Sequence, residues 1–389
     1  MAMPNDSRTG LPLALPDEEK RHWLRLIRSE NVGPQTFFRL INRFGGARAA
    51  IDNLGDIARR GGASRPPAIP EDAEIEREWR DGEGLGARLI ARGDPDYPGL
   101  LTHIHSAPPL LWVRGETGIL SRPFVAIVGS RNASATGRRI ARDFAAALGA
   151  EGFAIVSGFA RGIDTAAHEG SLETGTAAIF AGGLGSVYPP ENAGLAERVW
   201  ETGVLVSERA PSATPRGQDF PARNRIISGM ALGVFVVEAA SRSGTLITAR
   251  FALEQGRDVF AAPGSLADPR AAGTNALIKS GATFVTEPAD IADALRPMID
   301  RPSWPGGIAE PGGTAFGPAD GSPTAGDDAA PDGLGNRLVA LMGVIETDID
   351  LLTRESGAPA GAVQAALLEL ELAGRVVRTD RQGVRLQTP

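Results

Sequence analysis

One run of the sequence combines an aromatic ring with two guanidinium groups. This run is Phe220-Pro221-Ala222-Arg223-Asn224-Arg225, and Arg216 precedes it. We place the run in a long loop after the strand predicted at Val204–Ser207. Guanidinium groups pair with phosphates, and an aromatic ring stacks on any nucleic-acid base. A structural interpretation is also open: the ring is part of the core, and one of the two arginines pairs with Glu208 or Glu238. For the last two residues of the run, bracing and ligand contact are equally favoured.

Small residues follow nearly every predicted strand, directly before a predicted helix. Glycine and serine at such turns let backbone N–H groups and helix N-termini approach a phosphate closely. Strand-to-helix turns use glycine for other reasons as well, but its repetition along one sheet edge favours an anion or nucleotide site. The turns are Gly129-Ser130-Arg131, Ser157-Gly158, Gly182-Gly183-Leu184-Gly185, Ser243-Gly244-Thr245 and Pro263-Gly264.

The familiar catalytic motifs of α/β enzymes are missing. The glycines after the first predicted parallel strand are Gly129 and Gly137, which do not form G-x-G-x-x-G, and the sequence contains neither G-x-x-x-x-G-K-[ST] nor G-x-S-x-G. Ser157, Asp164 and His168 have the side chains of a hydrolytic triad. Asp164 and His168 are one turn apart on a predicted helix, so we favour a packing role for His168.

Composition excludes further classes of site. The chain of 389 residues has no cysteine and four histidines, and His103 and His105 alternate along a predicted strand without further ligands at metal spacing. We therefore expect neither a metal nor a cofactor. No N-terminal signal and no apolar run of ~20 residues is present, so we expect a cytoplasmic protein without a membrane span.

The charge distribution restricts any anion site to a small region. A net charge of −7 argues against a protein that coats nucleic acid non-specifically. Between Arg216 and Arg250, however, five arginines oppose only Asp219 and Glu238, which gives a local net charge of +3.

The elements that must position these residues alternate regularly over residues 86–300. Continuous apolar runs alternate with amphipathic helices, which predicts strands buried on both faces of a doubly wound, mostly parallel α/β sheet. We therefore assign residues 86–300 to an extended Rossmann-like domain, in which the two runs before the first parallel strand extend the sheet. The strands are predicted at Ala87–Arg92, Leu110–Val113, Phe124–Val128, Phe153–Ser157, Ala177–Ala181, Val204–Ser207, Val234–Glu238, Val259–Ala262 and Thr283–Val285.

Helical patterns flank this domain. Residues 1–80 read as a small all-helical domain, and Asn31-Val32-Gly33-Pro34 between two helices is typical of a helix-hairpin-helix. Such a hairpin can bind a DNA phosphate, but we favour packing or docking. Residues 301–333 are rich in Pro, Gly, Ala and Asp and predict a flexible linker.

Residues 334–389 predict three helices and a hairpin, the order of a winged helix. Its predicted recognition helix, Ala360–Ala373, contains no Lys or Arg. A DNA-reading helix needs such residues on the side that faces the groove, so we expect this domain to serve protein contacts or regulation. Basic residues lie on the hairpin instead, which leaves a contact through the wing open: Arg375, Arg378, Arg381 and Arg385.

The ordered motifs resemble the DprA/Smf family of DNA-processing proteins. The resemblance covers roughly residues 94–285, and the flanking domains resemble accessory domains of some members. The motifs are Asp96-Tyr97-Pro98, Val128-Gly129-Ser130-Arg131, residues 156–168 (VSGFARGIDTAAH), Tyr188-Pro189, Phe220-Pro221-Ala222-Arg223-Asn224-Arg225-Ile226-Ile227, residues 243–249 (SGTLITA) and residues 273–278 (GTNALI).

The resemblance implies a protein without catalytic activity that binds single-stranded DNA, dimerises through the Rossmann-like domain and delivers the strand to RecA in natural transformation or recombination. It places Arg131 on the DNA backbone and Phe220 at a base pocket. Some members have a DNA-binding lysine where this chain has Pro190, which suggests weaker binding or a shifted strand path. The nucleic-acid-binding residues are then Gly129, Ser130, Arg131, Ser157, Gly158, Arg161, Arg216, Phe220, Arg223, Asn224, Arg225, Ser243, Gly244 and Thr245.

An alternative from another class is a nucleotide-processing enzyme with a phosphoribohydrolase-like Rossmann domain. Such enzymes are marked by P-G-G-x-G-T-x-x-E, whereas this chain has Pro263-Gly264-Ser265.

Overall fold

The computed structural model describes residues 14–299, 333–343, 346–379 and 383–387. The described chain divides into two compact units. The first contains Leu15–Glu76 and the described residues from 333 onward, and the second contains residues 77–299. The predicted linker lies, except for its last residue, outside the described residues.

The helices recur along the whole described chain. They are α1 (Asp17–Arg28), α2 (Pro34–Phe44), α3 (Ala47–Arg60), α4 (Asp72–Gly84), α5 (Ala135–Ala150), α6 (Ile163–Ser171), α7 (Ala193–Thr202), α8 (Asp219–Met230), α9 (Thr245–Glu254), α10 (Ala272–Lys279), α11 (Pro288–Ile299), α12 (Leu334–Leu341), α13 (Ile349–Ser356) and α14 (Ala360–Leu372).

A sheet of nine strands forms the centre of the second unit, in the order β1-β2-β6-β5-β4-β3-β7-β8-β9. β1 and β2 are antiparallel, and the strands from β3 to β9 are parallel to one another. The strands are β1 (Arg88–Ala91), β2 (Leu110–Gly115), β3 (Phe124–Val128), β4 (Ala154–Ser157), β5 (Thr176–Ile179), β6 (Val204–Ser207), β7 (Ala231–Val236), β8 (Asp258–Ala261) and β9 (Thr283–Phe284).

This sheet confirms the predicted fold class. β3, β4, β5, β6 and β7 are buried along their whole length, as continuous apolar runs require. Successive strands are added on one side of β3 as far as β6, and the chain then crosses to β7 on the other side. The crevice at the carboxyl ends of the strands near this reversal is where doubly wound folds bind their ligands.

Two local predictions were wrong. His103 ends a 3₁₀ helix, Gly99–His103, and does not lie in a strand. β7 begins at Ala231, three residues before its predicted start, because Ala231 and Gly233 pair with β3.

Helices cover both faces of the sheet and bury apolar stripes there. The first of them after β3 is α5, which buries Ala141, Phe144 and Leu148. The Phe144 ring stacks on Phe235 of β7, with 4.8 Å between centroids. This packing fixes the position of α5, which begins four residues after Arg131 of the Gly-Ser-Arg turn.

The first unit combines α1, α2 and α3 with a winged helix. The winged helix consists of α12, α13 and α14 with β10 (Thr347–Asp348), β11 (Val376–Arg378) and β12 (Gly383–Leu386). β11 and β12 form the predicted hairpin, and β10, which the sequence did not reveal, pairs with β12. The hairpin turn, predicted at Asp380–Gly383, lies outside the described residues except for Gly383. Within the described ranges, no helix combines the length and apolarity that a membrane crossing requires.

Candidate nucleic-acid interface

A pocket of about 490 Å³ opens at the carboxyl ends of β3, β4 and β5. The turn after each of these strands contributes to its wall, and the beginning of α8 closes one side. The lining residues are Arg131, Asn132, Gly158, Ala160, Arg161, Phe180, Ala181, Gly182, Ser186, Tyr188, Pro189, Pro215 and Phe220.

An arginine and two aromatic rings are in contact within this pocket. The guanidinium carbon of Arg131 lies 4.8 Å from the centroid of the Phe220 ring. The Tyr188 ring meets Phe220 edge to face, with 5.7 Å between centroids. Arg131 is exposed, Phe220 is half-buried, and Tyr188 is 47% exposed. Two accessible aromatic rings beside a guanidinium group suit a nucleic-acid base together with its phosphate.

Phe220 lies in the first turn of α8, whereas the sequence was interpreted as a long loop at this point. The carboxylate of Asp219 organises this helix start: it accepts a hydrogen bond of 2.8 Å from the backbone N–H of Arg216 and pairs with the guanidinium of Arg209. Pro221 is compatible with a first helical turn, where its missing N–H would have no partner in any case. The helix therefore fixes the position of the Phe220 ring.

The two arginines after Phe220 are buried and brace the site from inside. Arg223 donates from Nη1 to the carbonyl oxygens of Gly158 and Ile179, and its Nε lies 3.2 Å from the Asn224 side-chain oxygen. Arg225 donates from Nη2 to both carboxylate oxygens of Glu208, at 2.7 and 2.8 Å. The geometry therefore supports the bracing interpretation for Arg223, Asn224 and Arg225. Of the run, only Phe220 lines the pocket.

The triad residues are not arranged for catalysis. Ser157 Oγ donates to the carbonyl oxygen of Ile127 at 2.6 Å, and Nδ1 of His168 lies 2.7 Å from Thr176 Oγ1. Burial lowers the pKa of His168 to about 3, and the positive charge of Arg223 acts in the same direction. His168 therefore remains neutral and contributes to packing.

Asp164 is the buried acid behind the pocket wall. Burial raises the pKa of its carboxyl to about 6, although nearby Arg223 lowers it. The carboxylate accepts a hydrogen bond of 3.2 Å from the backbone N–H of Ala160, which lines the pocket. The ionisation of Asp164 is therefore coupled to the turn that follows β4.

A carboxylate occupies the helix N-terminus at which many Rossmann folds bind a phosphate. Glu238 accepts hydrogen bonds from the N–H and Oγ of Ser134 at 2.9 and 2.5 Å. Ser134 in turn accepts from the N–H of Gly137 at 2.8 Å, and a Cβ on Gly137 would lie 2.5 Å from the carboxyl carbon of Glu238. The Glu238 carboxylate therefore places a negative charge at the start of α5, where a nucleotide phosphate would bind.

The other residues predicted for the site fall into two groups. Arg161 lines the pocket and forms an ion pair of 2.6 Å with Glu191, and Arg216 is exposed next to Pro215. Gly129, Ser130 and the Ser243-Gly244-Thr245 turn lie together beside Arg131, where Thr245 Oγ1 donates to the Gly129 carbonyl oxygen at 2.9 Å and Ser130 N–H to the Glu238 carbonyl oxygen at 2.8 Å. They position Arg131 and do not line the pocket.

Sequence reasoning missed Tyr188 as a site residue. The Tyr188-Pro189 pair was visible as a motif, but no role was assigned to the ring. Its exposure beside Phe220 is the observation that adds it to the site. Within the part of the chain that the structure describes, His, Asp and Glu side chains form no cluster of three or more that could hold a metal ion.

Three family models match successive parts of the chain. "DNA recombination-mediator protein A" matches residues 88–296, the "DprA-like N-terminal HHH domain" matches 17–80, and the "DprA winged helix domain" matches 322–380. Protein Smf of Escherichia coli is 40% identical over 302 residues, which cover 77% of each chain. The chain belongs to the DprA/Smf family.

Two solved structures of DprA/Smf proteins are similar to it. DNA processing protein A from Streptococcus pneumoniae matches with a TM-score of 0.61 and 34% identity, over 72% of this chain and 98% of that chain. DNA processing protein A from Helicobacter pylori matches with a TM-score of 0.51 and 26% identity, over 55% and 96%. The latter structure is described as revealing a single-stranded DNA binding mode of that protein.

We predict that Asp164 makes the stability of this DprA/Smf chain depend on pH. Because its pKa is raised in the folded state, the stabilisation by the protonated form is complete below the unfolded pKa near 4 and is lost as the pH rises through about 6. Relative to Asp164→Asn, the free energy of unfolding of the parent chain should fall by roughly 1–3 kcal/mol between pH 4 and pH 6.5. Chemical denaturation at several pH values measures this, with Asp143→Asn on the exposed side of α5 as the control. A constant difference across this range would contradict the prediction.

Proposed function

We propose that this chain binds single-stranded DNA and delivers it to RecA in DNA uptake and homologous recombination. The observation that carries the proposal is the Arg131 guanidinium against the Phe220 ring, which Tyr188 meets edge to face, in an open pocket. Membership of the DprA/Smf family supports it, as does the printed description of the H. pylori relative. RecA as recipient rests on the family resemblance, and we propose the cytoplasm as the place of action.

In this proposal one unstacked base enters the pocket and stacks on Phe220 or Tyr188. Arg131 then lies where the adjacent phosphate of the strand passes. Single-stranded DNA fits these requirements better than duplex, because the bases of a duplex are paired and stacked on their neighbours. Pro190, two residues after Tyr188, supplies no charge, so the strand depends mainly on Arg131 and its neighbours Arg161 and Arg216.

We further propose that the chain acts by binding and not by catalysis. The Glu238 carboxylate at the start of α5 takes the place that a nucleotide phosphate would need. Ser157 and His168 are hydrogen-bonded to groups other than each other. The first feature weighs against the phosphoribohydrolase-like alternative, which predicts release of free base from nucleoside monophosphates, and the second weighs against a hydrolytic triad.

We also propose that two copies associate through the β9 end of the sheet. β9 is the last strand of the order and pairs only with β8 among the described strands. Phe284 on this strand is 53% exposed, and Leu266, in the loop after β8, is 96% exposed. An unpaired strand edge with exposed apolar side chains is suited to association with a second copy.

Phe284→Arg is expected to convert a dimer into a monomer, because it places a charge on this edge. Sedimentation velocity at micromolar concentration measures the mass. Leu341→Arg, a comparable change at an exposed residue of α12, is the control and should leave the dimer intact. An unchanged sedimentation coefficient for Phe284→Arg would exclude β9 from the interface.

Arg131→Ala should weaken single-stranded DNA binding by about tenfold, equally for all base sequences, because it removes one phosphate contact. Phe220→Ala should weaken binding by a similar factor, since base–aromatic stacking contributes ~1–3 kcal/mol, but it should leave the salt dependence unchanged. Fluorescence anisotropy with labelled oligonucleotides measures both. Arg139→Ala, at an exposed residue of α5, is the control for a lost charge. Normal binding by a folded Arg131→Ala variant would show that the DNA site lies elsewhere.

Binding to labelled poly-dT should depend only moderately on salt. A local site of few cations neutralises few phosphates, and with ~0.7 counterions released per contacted phosphate the log–log slope should have a magnitude of about 2–4. Anisotropy titrations across a salt series give the slope. A slope near zero, or tighter binding of duplex than of single strands, would overturn the proposed function.

A further inference from the structure

The recognition helix of the winged helix, α14, is buried on two opposite sides. One side belongs to the core of the winged helix itself and contributes Val363, Ala366, Leu367 and Leu370. The other side contributes Leu368 and Leu372 to a separate core, which is otherwise built from the N-terminal helices. We call the second side, formed by Leu368, Glu369 and Leu372, the docking face.

Polar contacts seal the docking face. Arg60, the last residue of α3, donates from Nε to the carboxylate of Glu369 at 2.8 Å, and the Glu369 side chain is only 7% exposed. Asn31, in the hairpin between α1 and α2, donates from Nδ2 to the carbonyl oxygen of Leu372 at 3.2 Å. These contacts join both ends of the docking face to the N-terminal helices.

The helices approach so closely that only a glycine fits between them. Gly61 follows α3, and a Cβ at this position would lie 1.9 Å from the carbonyl oxygen of Glu369. Arg375, just after α14, donates from Nη1 to the carbonyl oxygen of Gly61 at 3.3 Å. The docking face is therefore covered by protein along its length.

A buried charge network lies beside the docking face and contains more cations than anions. Glu371 of α14 pairs with Arg378 Nε at 3.3 Å and interacts electrostatically with Arg39 of α2. The Arg378 side chain is 3% exposed, and Nη1 of both arginines is buried without a hydrogen-bond partner. Because two guanidinium groups share one carboxylate, loss of the carboxylate should be far more costly than loss of Arg39.

We propose that α14 is a protein-recognition helix whose partner is the N-terminal helical domain of the same chain. A helix that reads DNA must present polar side chains to the major groove. In α14, Glu369 and Glu371 are engaged by arginines and Gln364 accepts from Arg378 at 3.1 Å. The basic residues after α14 are engaged as well, because Arg375 binds the Gly61 carbonyl oxygen and Arg378 pairs with Glu371. The winged helix of this chain thus binds protein with the surface that others use for DNA.

Cross-linking of the full chain tests the docking in solution. The chain contains no cysteine, so Arg60→Cys with Glu369→Cys introduces a single pair for a short bis-maleimide. We expect cross-linking within one chain. It should decrease at least about tenfold with Leu368→Asp and Leu372→Asp added, and it should persist with Leu351→Asp, an exposed leucine of α13. Cross-linking between two chains, or equal yields with all these changes, would overturn the proposal.

The charge network gives an independent arm of the same experiment. Arg39→Met removes the surplus cation and should preserve the cross-link, whereas Glu371→Gln leaves two buried cations uncompensated and should decrease it. The reverse order of effects would contradict the assigned contacts.

Duplex DNA binding decides what the docking face recognises. The Leu368→Asp, Leu372→Asp chain, without the cysteines, should bind a labelled duplex within about threefold of the parent chain. An increase of more than about tenfold would show that α14 is a DNA-reading helix held closed, which would overturn its assignment to protein recognition. The single-stranded DNA site lies in the other unit, so failure here leaves the proposed function untouched.

Discussion

The candidate site depends on the hydrogen bonds that the buried guanidinium of Arg223 donates. This group joins the carbonyl oxygens of Gly158 and Ile179, where two neighbouring strands end, to α8. Phe220 lies three residues earlier on that helix, so the same contact holds the aromatic ring beside the turns that form the pocket. Burial lowers the pKa of Arg223 to about 10, with Asp164 opposing this effect, and the group remains cationic at neutral pH. The Gly158 and Ile179 carbonyl oxygens and the nearby Asp164 carboxylate hold this cation in one position. A small recognition pocket requires such rigidity.

The Rossmann-like architecture was predictable because continuous Val, Ile and Phe runs leave few alternatives to a parallel sheet. For the site, the sequence indicated which types of residue take part but not which of them are buried and which line the pocket. Arg223, Arg225 and Arg131 look alike in sequence, yet two are buried braces and one is exposed. The partners of Arg223 are the carbonyl oxygens of Gly158 and Ile179, which lie 65 and 44 residues away in the sequence, so the pattern does not reveal them. The start of α8 was misinterpreted because Pro221 suggests a loop, whereas a proline in the first turn of a helix lacks only an N–H that would have no partner there. For α14 a signal was present: its sequence is apolar all round, which is typical of a helix covered on more than one side.

Glu238 fills a phosphate-binding position of the Rossmann-like fold with a side chain of the protein itself. The helix dipole at the start of α5 attracts negative charge, and Glu238, in the turn after β7, supplies it. The anion site of the fold is thereby occupied by an internal carboxylate, and the candidate recognition surface lies at the neighbouring turns of the sheet. There the available chemistry is an arginine with two aromatic rings, which suits a polymer of stacked bases better than a single tightly held cofactor.

The partnership of α3 and α14 also has a consequence for biosynthesis. Arg60 and Glu369 are separated by 309 residues, so the N-terminal helices leave the ribosome long before the helix that covers them. At roughly 5–20 residues per second, the interval is about 15–60 s. During that time the apolar surface that later receives Leu368 and Leu372 is exposed to water and to chaperones. The N-terminal helical domain is therefore among the last to reach its final packing, although it is synthesised before the Rossmann-like sheet, which can fold as soon as β9 has emerged.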